Sequence, residues 1–209
     1  PSVHGEKIVL RILGGAKLKG HVKELGLRPR DQEAVERTLK APHGLILVTG
    51  PTGSGKSTTL YTMIQMLNDS DVNIMTAEDP VEYELEGITQ VAVKPHLGLS
   101  FEKVLRSFLR QDPDIMLVGE IRDLETAEIA VKASLTGHLV LSTVHTNSAP
   151  ATIVRLTHMG VAPYLVAASV RLVIAQRLVR CLCPACKCPA MLADEQKRFL
   201  TEEELAALP

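Results

Sequence analysis

Tryptophan is missing from this chain, and three tyrosines and three phenylalanines are all the aromatic surface that its 209 residues carry. Base-stacking platforms for single-stranded nucleic acid need more than that. No excess of positive charge makes up for it, because the net charge is −1 and the isoelectric point about 6.8. Backbone-driven binding of DNA or RNA rests on a basic surplus, so composition leans away from nucleic acid, although a local basic channel stays open. A secretory leader is not visible, since the first residues lack a basic start followed by an apolar stretch. Long apolar runs are absent too. The nearest to one, residues 161–179, is interrupted by Pro163, Arg171, Gln176 and Arg177 and reads as a buried or amphipathic helix. Cysteine does not occur before position 181, after which Cys181, Cys183, Cys186 and Cys188 fall within eight residues. An oxidised domain spreads its cysteines to close long loops, so this clustering points to a reducing compartment and to metal. Neither a repeat nor a low-complexity segment stands out.

What is present suits a globular protein, with 45% hydrophobic and 22% charged residues. The length fits one domain with room for a small appendage. The initiator Met is lacking, and residues 3–13 read as the last strand of a preceding domain, broken by Gly14-Gly15. A piece of a longer protein is expected, divided into 1–15 (end of that domain and linker), 16–180 (main domain) and 181–209 (cysteine cluster and helical tail).

The main domain is organised around Gly50-Pro51-Thr52-Gly53-Ser54-Gly55-Lys56-Ser57, which follows the apolar run 44–49 and precedes a helical pattern from Thr58 to Leu67. Strand, glycine loop, Lys-Ser and helix in that order make a phosphate-binding loop. Gly50, Gly53 and Gly55 let successive N–H groups converge on one anion, and the helix adds its positive end. Lys56 reaches the β/γ-phosphates, and the Ser57 hydroxyl can hold an accompanying Mg²⁺. A nucleoside triphosphate is the expected ligand.

Further elements follow in alternation. Asp31 is expected to cap a helix to about Lys40. Residues 72–77 read as a buried strand, and 84–93, around Gly87, as a hairpin or extended excursion. Ser100 caps an amphipathic helix that Asp112-Pro113-Asp114 stops. Residues 115–120 form an apolar strand ending in Glu120. Asp123 caps a helix to Leu135, residues 138–145 form another strand, and helices follow at about 148–159 and 163–179. Thr201 and Glu204 have capping-box spacing in the tail. The fold class is α/β: strands alternating with helices give a mostly parallel sheet wrapped on both faces, with ligands beyond the carboxyl ends of the strands. That rule gathers the phosphate loop, residues 78–82, Glu120 and His145 at one edge.

Hydrolysis of a triphosphate needs Mg²⁺, a positioned water and positive charge. Glu120, ending an apolar strand, is placed like an acid that orients Mg²⁺ or its water. Of the acidic cluster Glu78, Asp79 and Glu82, one can polarise the attacking water, and Glu82 is the best placed. His138 and His145 flank one strand on opposite faces. His145, at the carboxyl end, is the candidate for sensing the γ-phosphate, and one of the two is structural. Arg11, Arg106, Arg110 and Arg122 can neutralise phosphate oxygens, within the chain or across a subunit boundary.

With these motifs assembled, Gly50 to Thr59 (GPTGSGKSTT), Thr76 to Tyr83 (TAEDPVEY), Leu105 to Asp123 (LRSFLRQDPDIMLVGEIRD) and Thr136 to Asn147 (TGHLVLSTVHTN) resemble the secretion-ATPase superfamily. Its members are the GspE/PilB-like motors of type II secretion and type IV pilus assembly. The resemblance runs from about His4 to Cys186. It implies a RecA-like P-loop ATPase working as a homohexamer, with ATP and Mg²⁺ as ligands. It also implies a cytoplasmic location on the inner face of the bacterial inner membrane, with inner-membrane platform proteins as partners and no nucleic acid. Residues 50–58, including Thr52, Ser54 and Thr58, map onto the family's Walker A loop, and Glu78 to Glu82 onto its Asp box. Glu120 maps onto the Walker B glutamate, residues 138–145 onto the His box, and the four arginines onto those around the nucleotide. SFLRQDPD looks slightly more like pilus extension motors than secretion or retraction motors.

Two features depart from the pattern. The family's N-terminal domains are not in this sequence, so arginines donated from there would be lost. Many relatives carry two C-x-x-C pairs that bind zinc, whereas here only Cys183-x-x-Cys186 is complete, flanked by Cys181 and Cys188. Zn²⁺ on Cys183 and Cys186 is an expectation for the full-length protein. A pilus-retraction or DNA-uptake motor of the same superfamily, a nucleic-acid-translocating RecA-like ATPase and a nucleotide-binding module without turnover are the competing readings.

Overall fold

The computed structural model describes residues 3–8, 19–188 and 193–199. Contacts divide the chain into two compact units, Pro1–Leu178 and Val179–Pro209.

In the first unit the described residues form six strands: β1 (Gly44–Thr49), β2 (Ile74–Glu78), β3 (Thr89–Ala92), β4 (Ile115–Val118), β5 (Leu139–Val144) and β6 (Val170–Ala175). All pairings are parallel and the spatial order is β3-β2-β4-β5-β1-β6. The helices are α1 (Pro29–Leu39), α2 (Lys56–Leu67), α3 (Phe101–Phe108), α4 (Leu124–Leu135), α5 (Ala149–His158) and α6 (Pro163–Ser169).

The apolar runs explain the layering. Strands covered on both faces read as continuous hydrophobic runs, and β1, β4 and β5 are buried along their whole length. Successive side chains alternate between two cores. Leu45 and Leu47 join Met116, Val140 and Leu105 under α3 and α4, while Ile46 and Val48 join Leu117, Leu141 and Met63 under α1 and α2. The helix starts follow local capping chemistry. The side chains of Ser100, Asp123 and Ser148 accept hydrogen bonds from the N–H groups of Lys103, Thr126 and Ala151.

Four sequence expectations need correction. Residues 3–8 form no strand, and the rest of that segment lies outside the described residues. Asp31 does not cap α1: the helix starts at Pro29 after Arg28, and Asp31 accepts instead from Arg28 Nε at 2.9 Å. Of the hairpin or extended excursion expected over 84–93, the hairpin is ruled out, because Thr89–Ala92 runs alongside β2 in the same direction. Gln90 staples the excursion, accepting from Leu85 N–H at 2.7 Å and donating to the Tyr83 carbonyl at 3.0 Å. The helix expected over 163–179 ends at Ser169, and the chain continues as β6 along β1. The β-branched residues Val170, Val173 and Ile174 favour that extended form, and helix periodicity in the preceding apolar turn masks the switch.

In the second unit, the carbonyl of Cys183 accepts from Lys187 N–H at 2.9 Å, and α7 spans Asp194–Lys197. Thr201 and Glu204 lie outside the described residues. Among the described residues, no helix is long and apolar enough to cross a membrane.

Candidate phosphate-binding site

The parallel sheet sends the carboxyl ends of β1, β2, β4 and β5 to one edge. There a cavity of about 710 Å³ is lined by Lys56, Ser57, Glu78, Glu82, Glu120 and His145, among others. Thr52, Gly53, Ser54, Gly55, Thr58, Asp79 and Arg122 line it as well.

The loop after β1 owes its course to two glycines in particular. Gly50 (φ 146) packs so closely on the Gln176 carbonyl that a Cβ there would collide with it. Gly55 (φ 84) is the N-cap of α2 and offers no side chain to cap it. The helix therefore turns its first N–H groups and positive end toward the cavity. Lys56 folds back over the loop and donates to the carbonyls of Gly50 and Pro51, each at 3.0 Å. Burial lowers its pKa from the ordinary lysine value, and the charge of Glu120 opposes that shift. The Ser57 hydroxyl donates to Glu82 Oε1 at 3.4 Å, so the first turn of α2 and the acidic turn after β2 meet directly.

Glu120 is buried (9% exposed) at the end of β4. Its Oε2 is in ion-pair contact with Arg122 Nε and 3.3 Å from His145 Nε2, yet makes no aligned hydrogen bond to either. Glu120 lines the same cavity as the Ser57 hydroxyl and the Glu82 carboxylate, oxygen ligands of the kind that suit a hard divalent cation or a bound water. His145 is set by the turn around it, where the Thr49 hydroxyl sits 2.7 Å from the Val144 carbonyl and accepts from Thr146 N–H at 2.9 Å. The lining mixes the cations Lys56 and Arg122 with the acids Glu82 and Glu120. That mixture fits an anion bridged to a metal ion.

The remaining residues singled out in the sequence divide. Glu78, 5% exposed, is bound by the hydroxyls of Tyr61 and Thr76 and by Gln90 Nε2 at 3.1 Å, so its lone pairs are spent inside the fold. His138 sits at the opposite end of β5, its Nδ1 3.0 Å from the Ala133 carbonyl, and is not brought to the cavity. Arg106 on α3 pairs with Glu102 at 2.8 Å, and Arg110, in the turn after α3, donates to the Arg106 carbonyl at 2.8 Å; both are exposed and neither lines the cavity. Arg11 lies outside the described residues. The site roles of Tyr61, Gln90 and Gln176 were not foreseen because a single polar residue outside a motif carries no signal of its partners.

The zinc expectation finds no support. Cys181, Cys183, Cys186 and Cys188 are exposed and free. Among the described residues no group of three or more His, Cys, Asp or Glu side chains is gathered for a metal. The Cys183 thiol has a lowered pKa through backbone hydrogen bonding at Ala185 and contact with Cys186. Two sulfurs at one turn remain half of a tetrahedral set.

Comparison with known proteins agrees with the architecture. The family model described as type II/IV secretion system protein matches residues 1–207. The type IV pilus assembly ATPase PilB of Myxococcus xanthus is 56% identical over 196 residues, 94% of this chain and 35% of the relative. The type II secretion system protein E of Pseudomonas aeruginosa is 54% identical over 209 residues, 100% of this chain and 41% of the relative. The chain thus spans about two-fifths of the length of these curated relatives. Among solved structures, the pilus retraction motor PilT with bound ADP is 43% identical with a TM-score of 0.62, over 72% of this chain and 44% of its own. The ATPase DotB of Yersinia pseudotuberculosis is 32% identical with a TM-score of 0.66, over 77% of this chain and 44% of its own. Parallel sheet, phosphate loop and an inserted β5 between β1 and β4 make the fold a RecA-like P-loop NTPase, and the chain belongs to the type II/IV secretion system protein family.

Proposed function

We propose that this chain is the ATP-hydrolysing motor domain of a type IV pilus assembly or type II secretion machine. The observation that carries the reading is the meeting of Lys56 and Ser57 with Glu82, Glu120 and His145 around one cavity. The loop amides of residues 53–57 and Lys56 bind the β- and γ-phosphates. Ser57 and Glu120 would hold Mg²⁺, which would neutralise charge on the phosphate oxygens. Glu82 orients the attacking water and takes up its proton. As water oxygen bonds to the γ-phosphorus, the bond to the β–γ bridging oxygen breaks, and ADP and phosphate result. His145 senses the γ-phosphate through Glu120, and Arg122 balances the charge of that acid.

In this reading residues 16–180 form the ATPase domain, 1–15 end a preceding domain and 181–209 are an appendage. Arg11, Arg106 and Arg110 serve subunit boundaries of a homohexamer. The whole protein works in the cytoplasm against inner-membrane platform proteins. Pilus retraction is the second reading, supported by the likeness to PilT; identity to the assembly and secretion relatives is higher, at 56% and 54% against 43%.

Steady-state phosphate release by the whole protein tests the proposal. Lys56→Ala and Glu120→Gln should each lower kcat/KM by about 100-fold or more. Wild-type rates in both variants overturn it.

A further inference from the structure

Gln176, the first residue after β6, reaches the phosphate loop from the far edge of the sheet. Its N–H donates to the Thr49 carbonyl at 2.9 Å. Its side chain accepts from the Thr59 hydroxyl at 2.9 Å and donates from Nε2 to the Ser54 carbonyl at 2.6 Å. A Cβ on Gly50 would strike its carbonyl, and one on Gly55 would lie 3.2 Å from its Nε2. One residue thereby grips the end of β1, the loop and the start of α2.

We propose that Gln176 is a positioning residue that sets nucleotide affinity by aiming the Ser54–Gly55 peptide. In a trans peptide the C=O and the following N–H point in opposite directions. Holding the Ser54 carbonyl toward Gln176 turns the Gly55 N–H the other way, toward the cavity. Gly55 tolerates either orientation of that peptide, since glycine has no Cβ to bias it. Without the clamp the peptide can flip and present a carbonyl dipole to the phosphate. The carboxamide meets both demands at once: the Ser54 carbonyl needs a donor, and the Thr59 hydroxyl needs an acceptor. Leucine serves neither, and glutamate serves only the hydroxyl.

The inference rests on the phosphate-binding reading, and calorimetric titration of the whole protein with MgADP separates the two. Gln176→Leu should weaken MgADP about tenfold, the loss expected for two hydrogen bonds. Gln176→Glu, which keeps the bond to Thr59, should weaken it at least as much. Thr59→Val should cost less, and Thr59→Val with Gln176→Leu should lose less than the product of the single effects. The apo melting temperature should fall by no more than about 4 °C in Gln176→Leu. In turnover the loss should appear in KM more than in kcat. MgADP affinity unchanged in both Gln176 variants overturns the inference, as does a loss that tracks apo stability across all variants. Wild-type protein that binds no MgADP overturns the phosphate-binding reading itself, and the inference with it.

Discussion

At the scale of single residues, Glu78 and Glu82 stand four positions apart and live in different surroundings. Glu78 is buried against three donors, which is what keeps a carboxylate tolerable in a protein interior. Tyr61 is the most consequential of the three. Its hydroxyl donates to Glu78 and also accepts from the Glu82 N–H at 3.2 Å, so it couples the α2 helix to the acidic turn. Tyr61→Phe removes both bonds at once without changing the ring, which also packs edge-on against Tyr83. Urea unfolding should register a loss of about 1–3 kcal/mol. Burial and the neighbouring Glu78 raise the Tyr61 pKa well above its ordinary value of 10.0. The sign follows from linkage: the neutral phenol is favoured in the fold, so its contribution is whole below pH 10 and fades as the pH rises further. Alkaline melting curves should show a decline in stability setting in above that pH, and Tyr61→Phe should lessen its slope. An identical slope in wild type and variant would count against this environment for Tyr61.

At the scale of elements, the loop between β1 and α2 was legible because its signals are local. Glycine spacing, Lys-Ser and an apolar strand before a helix need no knowledge of the rest of the chain. Caps at Ser100 and Asp123 were readable for the same reason. β6 was not, since an edge strand half exposed to solvent leaves no clean alternation, and its pairing with β1 spans more than a hundred residues of sequence. Missing β6 meant missing Gln176. Gly50→Ala tests the contact between the two: φ 146 and the collision with the Gln176 carbonyl both oppose a side chain. A stability loss of about 1–3 kcal/mol is expected, with weakened nucleotide binding, measured by thermal melting and titration. On α3, by contrast, Arg106 pairs with Glu102 across one exposed helical turn. Arg106→Ala should change the unfolding free energy by about 0.5 kcal/mol or less, because solvent screens such pairs. A larger loss would mean that this arginine supports the fold from within the chain.

At the scale of the whole molecule, one geometric rule accounts for most of the site. Parallel strands deliver their carboxyl ends to a common edge, so residues 57, 82, 120 and 145 meet although the sequence separates them widely. The same rule could not tell Glu78 from Glu82. Which acid is spent internally depends on Tyr61, Thr76 and Gln90, and partners drawn from three elements are invisible to a linear reading. His138 illustrates the converse: it flanks the same strand as His145 but at the opposite end. The buried carboxylate of Glu120 has a global consequence that melting curves can read. Ligands that bind the folded state raise the melting temperature, and ADP with Mg²⁺ should raise it more than ADP with EDTA, a difference that Glu120→Gln should shrink. Equal shifts with and without Mg²⁺ would argue against a cation at this acid.

The doubly tethered ammonium of Lys56 bears on which anions this molecule can admit. Since the amine already rests on two backbone oxygens, an arriving anion must win it away from them, and entry becomes an exchange between competing acceptors. A phosphate chain, with several charged oxygens, can take the place of both carbonyls at once.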